Sequence, residues 1–333
     1  NKTGWISGKG NVTLNILKGE LSNRNTIAAD KSLTITSLNG IENYKDISAG
    51  DTLTLDSKRS IVNNNNSNIV GHDIVMKASN DITNRNSIVS DSDMTITAKG
   101  NLNNYLNLVG YGDVTITANS VNNNNSIIDA KGDLSINTTG KIGNARGTLR
   151  SQTGNMSLVS ANNNIDNYYG NIISGGKITI AGNNLNNDNG LIGSNGDITI
   201  SLEGSFDNSK GSVTSNWGDI VLNANSVDNN NGFIAGKNVS VDSKSVINNN
   251  NALIAADKVL TVNANGNVDN RNGNNFNRTH GAYFGLTDSI GGMSGKEGVT
   301  LTAQNVYNNN SNLIAEKGPL TLNSRGVFDN SYA

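Results

Sequence analysis

The sequence predicts an all-β solenoid, a parallel β-helix of about fifteen coils with three short strands per coil, and three observations predict it. An apolar-x-Asn tripeptide recurs fifteen times along the 333 residues. Successive apolar anchors stand 19 to 23 residues apart, with one interval of 38 between Val268 and Val306. Each unit of about 20 residues holds three β-like segments separated by Gly, Asn and Asp, which suits short strands and leaves no 3.6-residue periodicity for a helix.

The first strand of each coil is the one that ends on the asparagine. The column it predicts is Asn23, Asn43, Asn64, Asn84, Asn104, Asn123, Asn144, Asn167, Asn187, Asn208, Asn229, Asn249, Asn270, Asn308 and Asn330. In a parallel β-helix equivalent residues stack about 4.8 Å apart. A primary amide carries both donors and an acceptor, so each asparagine can donate to the next rung and accept from the last. Asn also tolerates the left-handed backbone that sharp corners demand. The ladder residue is therefore expected to turn the chain as well as join the coils.

The second strand follows about six residues on, as Ile27-Ala28, Ile88-Val89, Ile127-Ile128, Ile172-Ile173, Phe233-Ile234, Leu253-Ile254 and Leu313-Ile314. The third alternates apolar-x-apolar, as in Leu33-Thr34-Ile35, Val114-Thr115-Ile116 and Leu320-Thr321-Leu322, the period of a strand with one face buried. One coil alone buries too few apolar side chains to offset the entropy of ordering it, so stability is expected to come from neighbours. Both ends read as repeat, and the segment is expected to be a single β-helix stretch of a longer chain, with neither end cap present.

Composition narrows the function. With 65 Asn, 37 Gly, one Pro, 35% hydrophobic and 5% aromatic residues, the chain does not have an enzyme-like make-up. Val, Ile and Thr at regular intervals argue against disorder. The balance of 25 Lys and Arg against 27 Asp and Glu, with no block of one sign, cannot neutralise a phosphate backbone, so no nucleic acid is expected. The absence of cysteine removes disulfides, thiol catalysis and thiolate metal sites, and two histidines, His72 and His280, are few for imidazole sites. No apolar run reaches the roughly 20 residues of a membrane-spanning helix, and the first ten residues do not read as a signal peptide.

Four features compete as sites. Asp73, Asp93, Asp113 and Asp133 share one register on consecutive coils, with Asp51, Asp197 and Asp219 in the same register elsewhere. Stacked carboxylates offer hard oxygen ligands for Ca2+, but Gly-Asp before a strand is also a good turn, and turn is the preferred reading. The edge after the asparagine reads Arg24, Tyr44, Asn65, Arg85, Tyr105 and later Tyr168 and Arg271, an Arg/Tyr alternation that lapses into small polar residues. No carboxylate cluster on a strand face supports a carbohydrate-active enzyme. No catalytic, cofactor-binding or metal residue is therefore expected. The fourth feature is the long interval, read as an insertion over 271–288 with the second strand of its coil at Ser289-Ile290-Gly291. It concentrates Phe276, Arg278, His280, Tyr283 and Phe284, a candidate partner-contact loop or else a flap over neighbouring coils. Asn-x-Ser/Thr triplets, among them Asn137-Thr138-Thr139, arise by chance in so Asn-rich a chain.

Units such as Gly132-Asp133-Leu134-Ser135-Ile136 and Gly196-Asp197-Ile198-Thr199-Ile200, followed by apolar-x-Asn and then an apolar-apolar-small step, resemble filamentous-haemagglutinin repeats. Such repeats belong to the large exoproteins of bacterial two-partner secretion, which include adhesins, contact-dependent growth-inhibition effectors and secreted haemolysins. The resemblance covers nearly the whole chain. It implies a right-handed β-helix stalk, exported by an outer-membrane two-partner transporter and displayed at the bacterial cell surface as a monomeric filament that reaches toward a receptor on a target cell. A repeat region of a secreted cytolysin is the alternative, and a carbohydrate-active β-helix enzyme a more distant one.

Overall fold

The computed structural model describes residues 4–276 and 291–331, and their regular structure is β apart from one 3-10 turn at Gly273–Asn275. They form a right-handed parallel β-solenoid of about fifteen turns. The chain divides into two units, Asn1–Asn163 and Asn164–Ala333.

Alternation within each strand builds the coil. In the third strand Leu33–Ser37, Leu33 and Ile35 are fully buried while Thr34 and Thr36 are half-buried. Successive side chains of a strand point to opposite faces, so the apolar residues face the axis and the threonines face out.

In the first unit, the inward residues of the second strand stack as Ile27, Ile47, Ile69, Ile88, Leu108, Ile128 and Leu149. Those of the third strand stack as Ile35, Leu55, Met76, Ile96, Ile116, Ile136 and Leu158. The first strands pair in parallel from Leu21–Asn23 to Ile142–Gly143.

The second unit repeats the plan. Ile172, Ile192, Val213, Ile234, Ile254, Met293 and Leu313 form its second-strand stack. Ile165, Leu185, Phe206, Val227, Ile247, Val268, Val306 and Phe328 form its first-strand stack. Burial comes from having a coil on both sides. Phe206 is completely buried, whereas Phe328, the same position in the outermost coil, is 47% exposed.

The corner after the first strand has more than one length, and length decides its backbone. Three residues separate Asn23 from Ile27 and Asn84 from Ile88, and these corners have no positive φ. Four residues separate Asn123 from Ile128, and Asn125 adopts φ 58°. The longer corner recurs in the second unit, with Tyr169, Asn189, Lys210, Asn231, Asn251, Asn272 and Asn310 all at φ between 50° and 59°. The extra residue is thus absorbed by one left-handed step two residues beyond the ladder asparagine. This corrects the expectation that the ladder residue itself takes that conformation; none of the ladder asparagines has a positive φ. The position after the left-handed residue sits under the preceding coil. At Gly147, Gly190, Gly211 and Gly232, a Cβ would collide with the carbonyl oxygen of the ladder asparagine one coil back.

The long interval enters at this corner. Arg271 and Asn272 keep regular positions, with the Asn272 N–H donating to Asn309 O at 2.9 Å. The next second strand is Gly292–Gly295, with Met293 paired to Ile254 and fully buried. This corrects the expected strand at Ile290, a residue outside those described, and moves the extra residues from 271–288 to the stretch between Gly273 and Gly292. A Cβ on Gly291 would lie 2.5 Å from Gly273 O, so the insertion leaves and rejoins the coil at one point.

Candidate functional site

The asparagine column is a continuous hydrogen-bonded ladder inside each unit. In the first, Asn23 Nδ2 donates to Asn43 Oδ1 at 2.8 Å, Asn43 to Asn63 at 3.0 Å, Asn63 to Asn84 at 2.9 Å, Asn84 to Asn104 at 2.9 Å, Asn104 to Asn123 at 2.9 Å and Asn123 to Asn144 at 2.8 Å. In the second, Asn167, Asn187, Asn208, Asn229, Asn249, Asn270 and Asn308 each donate at 2.7–2.8 Å to the next rung, ending on Asn330. The third rung is Asn63, which corrects Asn64. Ile61 points inward and is fully buried, and the inward residue two positions later is Asn63. Asn64 lies outside the ladder, its Oδ1 accepting from Arg85 Nη1 at 3.1 Å while its buried Nδ2 has no partner among the described residues.

Each rung also fixes the second strand. Asn208 Nδ2 donates to Gly211 O of its own coil and Phe233 O of the next, both at 3.3 Å. Its oxygen accepts from Asn187, so a fully buried amide is satisfied on every side.

The aspartate register forms a second, outer ladder with the backbone as donor. The N–H of Asp93 donates to Asp73 Oδ1 at 3.2 Å, Asp113 N–H to Asp93 at 2.8 Å, Asp133 N–H to Asp113 at 2.7 Å and Asn155 N–H to Asp133 at 2.7 Å. In the second unit Asp219 N–H donates to Asp197 Oδ1 at 3.0 Å, and Asn238 N–H to Asp219 at 3.2 Å. A carboxylate engaged by the next coil's backbone has a structural task, and among the described residues no three His, Cys, Asp or Glu come together to hold a metal.

The Arg/Tyr edge is internally paired where it is best developed. The Arg24 guanidinium lies 4.5 Å from the Tyr44 ring centroid, and Tyr44 OH donates to Glu42 at 2.5 Å. That bond to a carboxylate raises the Tyr44 pKa. The corresponding residue between Tyr44 and Arg85 is Asn64, not Asn65, another consequence of the one-residue shift at Asn63. Arg271 lies 5.9 Å from the ring of Tyr307 and donates through Nε to Asp269 at 2.8 Å.

Of the candidate loop residues only Phe276 is described; Arg278, His280, Tyr283 and Phe284 lie outside the described residues. Phe276 packs against a buried apolar cluster of Phe233, Ala235, Leu253 and Ala255. Those four point outward from the second strands of consecutive coils, where other coils carry residues such as Asn107, Asn171 and Thr148. Sequence reasoning missed this patch, although the unbroken apolar runs Phe233-Ile234-Ala235 and Leu253-Ile254-Ala255-Ala256 were the signal. It also missed Asp129, 4% exposed on an outward face, which Arg150 grips through both Nε and Nη2 and to which Gln152 Nε2 donates at 3.0 Å. That pairing raises the pKa of Arg150.

A family model described as "Haemagglutinin repeat" matches residues 5–86, 62–138, 135–210, 208–272 and 286–332. No curated protein and no solved structure matches the chain. Among the described residues no helix is long and apolar enough to cross a membrane.

Proposed function

The chain belongs to the haemagglutinin repeat family, and from that premise we propose that it is the structural stalk of a large bacterial surface exoprotein, extending an adhesin or a contact-dependent growth-inhibition effector toward a target cell. The observation that carries the reading is the use of the polar side chains. The asparagines bind one another and the aspartates bind the next coil's backbone, so the residues that would make a site are occupied in joining coils. Export through an outer-membrane two-partner transporter and display at the cell surface accompany this reading, as does a part for the insertion beginning near Asn274 in touching a partner.

The test is to remove one, two or three whole interior coils from the full-length exoprotein and measure secretion, surface display and action on target cells. A stalk predicts normal secretion with action on target cells falling in steps as coils are lost. Complete loss of action from a single outward substitution such as Arg85→Ala, in a well-displayed protein, would replace the stalk with a binding surface.

A further inference from the structure

The sequence holds six Asn-Gly pairs, at Asn39, Asn189, Asn195, Asn231, Asn265 and Asn272. Asparagine is a thermolabile residue, and glycine leaves its own nitrogen sterically open to the preceding side chain. The structure ranks the six by two conditions: whether the asparagine amide is held, and whether the glycine N–H is held.

At four sites the amide is held. Asn189 Nδ2 donates to Asp188 Oδ1 at 2.7 Å, Asn195 Oδ1 accepts from Asn216 Nδ2 at 2.5 Å, Asn231 Oδ1 accepts from Asn251 Nδ2 at 2.6 Å, and Asn272 Nδ2 donates to Asn250 Oδ1 at 3.0 Å. Asn39 and Asn265 are both exposed, and among the described residues neither side chain makes a hydrogen bond. They differ in the glycine. Gly266 N–H donates to Ser245 O at 2.6 Å, a bond between coils. Gly40 N–H has only Ser37 Oγ, at 3.3 Å.

We propose that Asn39-Gly40 is the deamidation site of this protein, a spontaneous modification whose only co-reactant is water. Gly40 is buried, so its backbone nitrogen is first released from Ser37 Oγ by a local opening, then gives up its proton to solvent base and bonds to Asn39 Cγ. The Cγ–Nδ2 bond breaks and ammonia leaves, and the resulting succinimide takes up water at one of its two carbonyls to give aspartate or isoaspartate. No electron is gained or lost. At Asn265 the same attack first needs the Gly266 ladder bond to open, which lowers its rate by about tenfold for each ladder bond that has to break.

Peptide mapping by mass spectrometry after incubation of the folded protein at mildly alkaline pH tests this. The peptide holding Asn39 should convert first, about tenfold faster than the peptide holding Asn265, and the two rates should converge in denaturant. Asn39→Gln should remove the early acidic species while leaving the slower ones. Equal rates at Asn39 and Asn265 in the folded protein, or faster conversion at any of the other five pairs, would overturn the assignment.

Discussion

Asn63 and Asn64 are neighbours in the chain with opposite surroundings, and the difference is measurable. Replacing a central rung such as Asn84 by Ala leaves Asn63 Nδ2 with only the backbone oxygens of Ser67 and Ser87, and leaves Asn104 Oδ1 without its donor. The orphaned buried oxygen costs about 1–3 kcal/mol. Asn63→Ala should be as damaging, and Asn64→Ala should change stability by less than about 0.5 kcal/mol, since it removes an amide nitrogen that already lacks a partner among the described residues. Denaturant midpoints of the three variants decide it, and comparable losses at Asn63 and Asn64 would mean the ladder runs elsewhere. The sequence showed the column at fourteen of its fifteen rungs. It failed at Ile61-Val62-Asn63-Asn64, where two registers one residue apart both satisfy apolar-x-Asn, and only packing tells inside from outside. Residue chemistry also explains Lys210, which sits at φ 54° where Asn189 and Asn231 occupy the coils on either side. Lys210→Asn should stabilise the protein by roughly 0.5–1 kcal/mol, because asparagine tolerates that conformation better than lysine. A lower thermal midpoint would show that the lysine side chain contributes more than its backbone costs.

Strand by strand, the outward position before each ladder asparagine carries its own pattern. In the second unit it reads Asp166, Asn186, Asp207, Asp228, Asn248 and Asp269. Where an asparagine follows an aspartate it donates across the coils, as Asn186 does to Asp166 and Asn248 to Asp228, each at 3.1 Å. Asp207 and Asp228 face each other directly. Burial raises the Asp228 pKa, and the Asp207 charge adds to the rise. A carboxyl whose folded pKa lies above its unfolded value disfavours folding once pH has risen through the folded value, and the handicap vanishes below the unfolded value. Asp228→Asn should therefore stabilise the protein by roughly 0.5–1 kcal/mol at neutral pH. The gain should shrink to nothing as pH falls through the carboxylate range. Thermal midpoints across that range test the sign, and a gain that grows in acid would contradict it. The spacing of the aspartates that precede the third strand was plain in the sequence. Their acceptance of a backbone N–H from the next coil was not, because it depends on a corner geometry that residue type alone does not specify.

For the molecule as a whole, the long interval between Val268 and Val306 announced an insertion, and composition alone could not place its ends. Val268 and Asn270 are regular anchors, but Gly and Asn lie on both sides of the break, and Ile290 looked more like a strand centre than Gly292-Met293 did. Excising residues 274–291 so that Gly273 joins Gly292 recreates the Ala252–Leu253 connection of the preceding coil. The shortened protein should keep its β circular dichroism and a cooperative transition. Its midpoint should drop by a few degrees, and it should bind a hydrophobic dye, because the cover that Phe276 gives Phe233 and Leu253 goes with the excised segment. Adding Phe233→Thr and Leu253→Thr should abolish the dye binding. Loss of β-structure on excision would place the insertion within the core. The asparagine ladder has a further consequence, a genetic one. Within each unit the rungs donate in the same direction along the chain, so a cut between two of its coils leaves a ladder amide N–H on one face and a ladder amide oxygen on the other. Two such faces match whichever coils they come from. A recombination event that duplicates or drops one repeat of about 20 residues therefore rejoins compatible ends, and lineages can lengthen or shorten this protein in whole-coil steps without inventing a new interface.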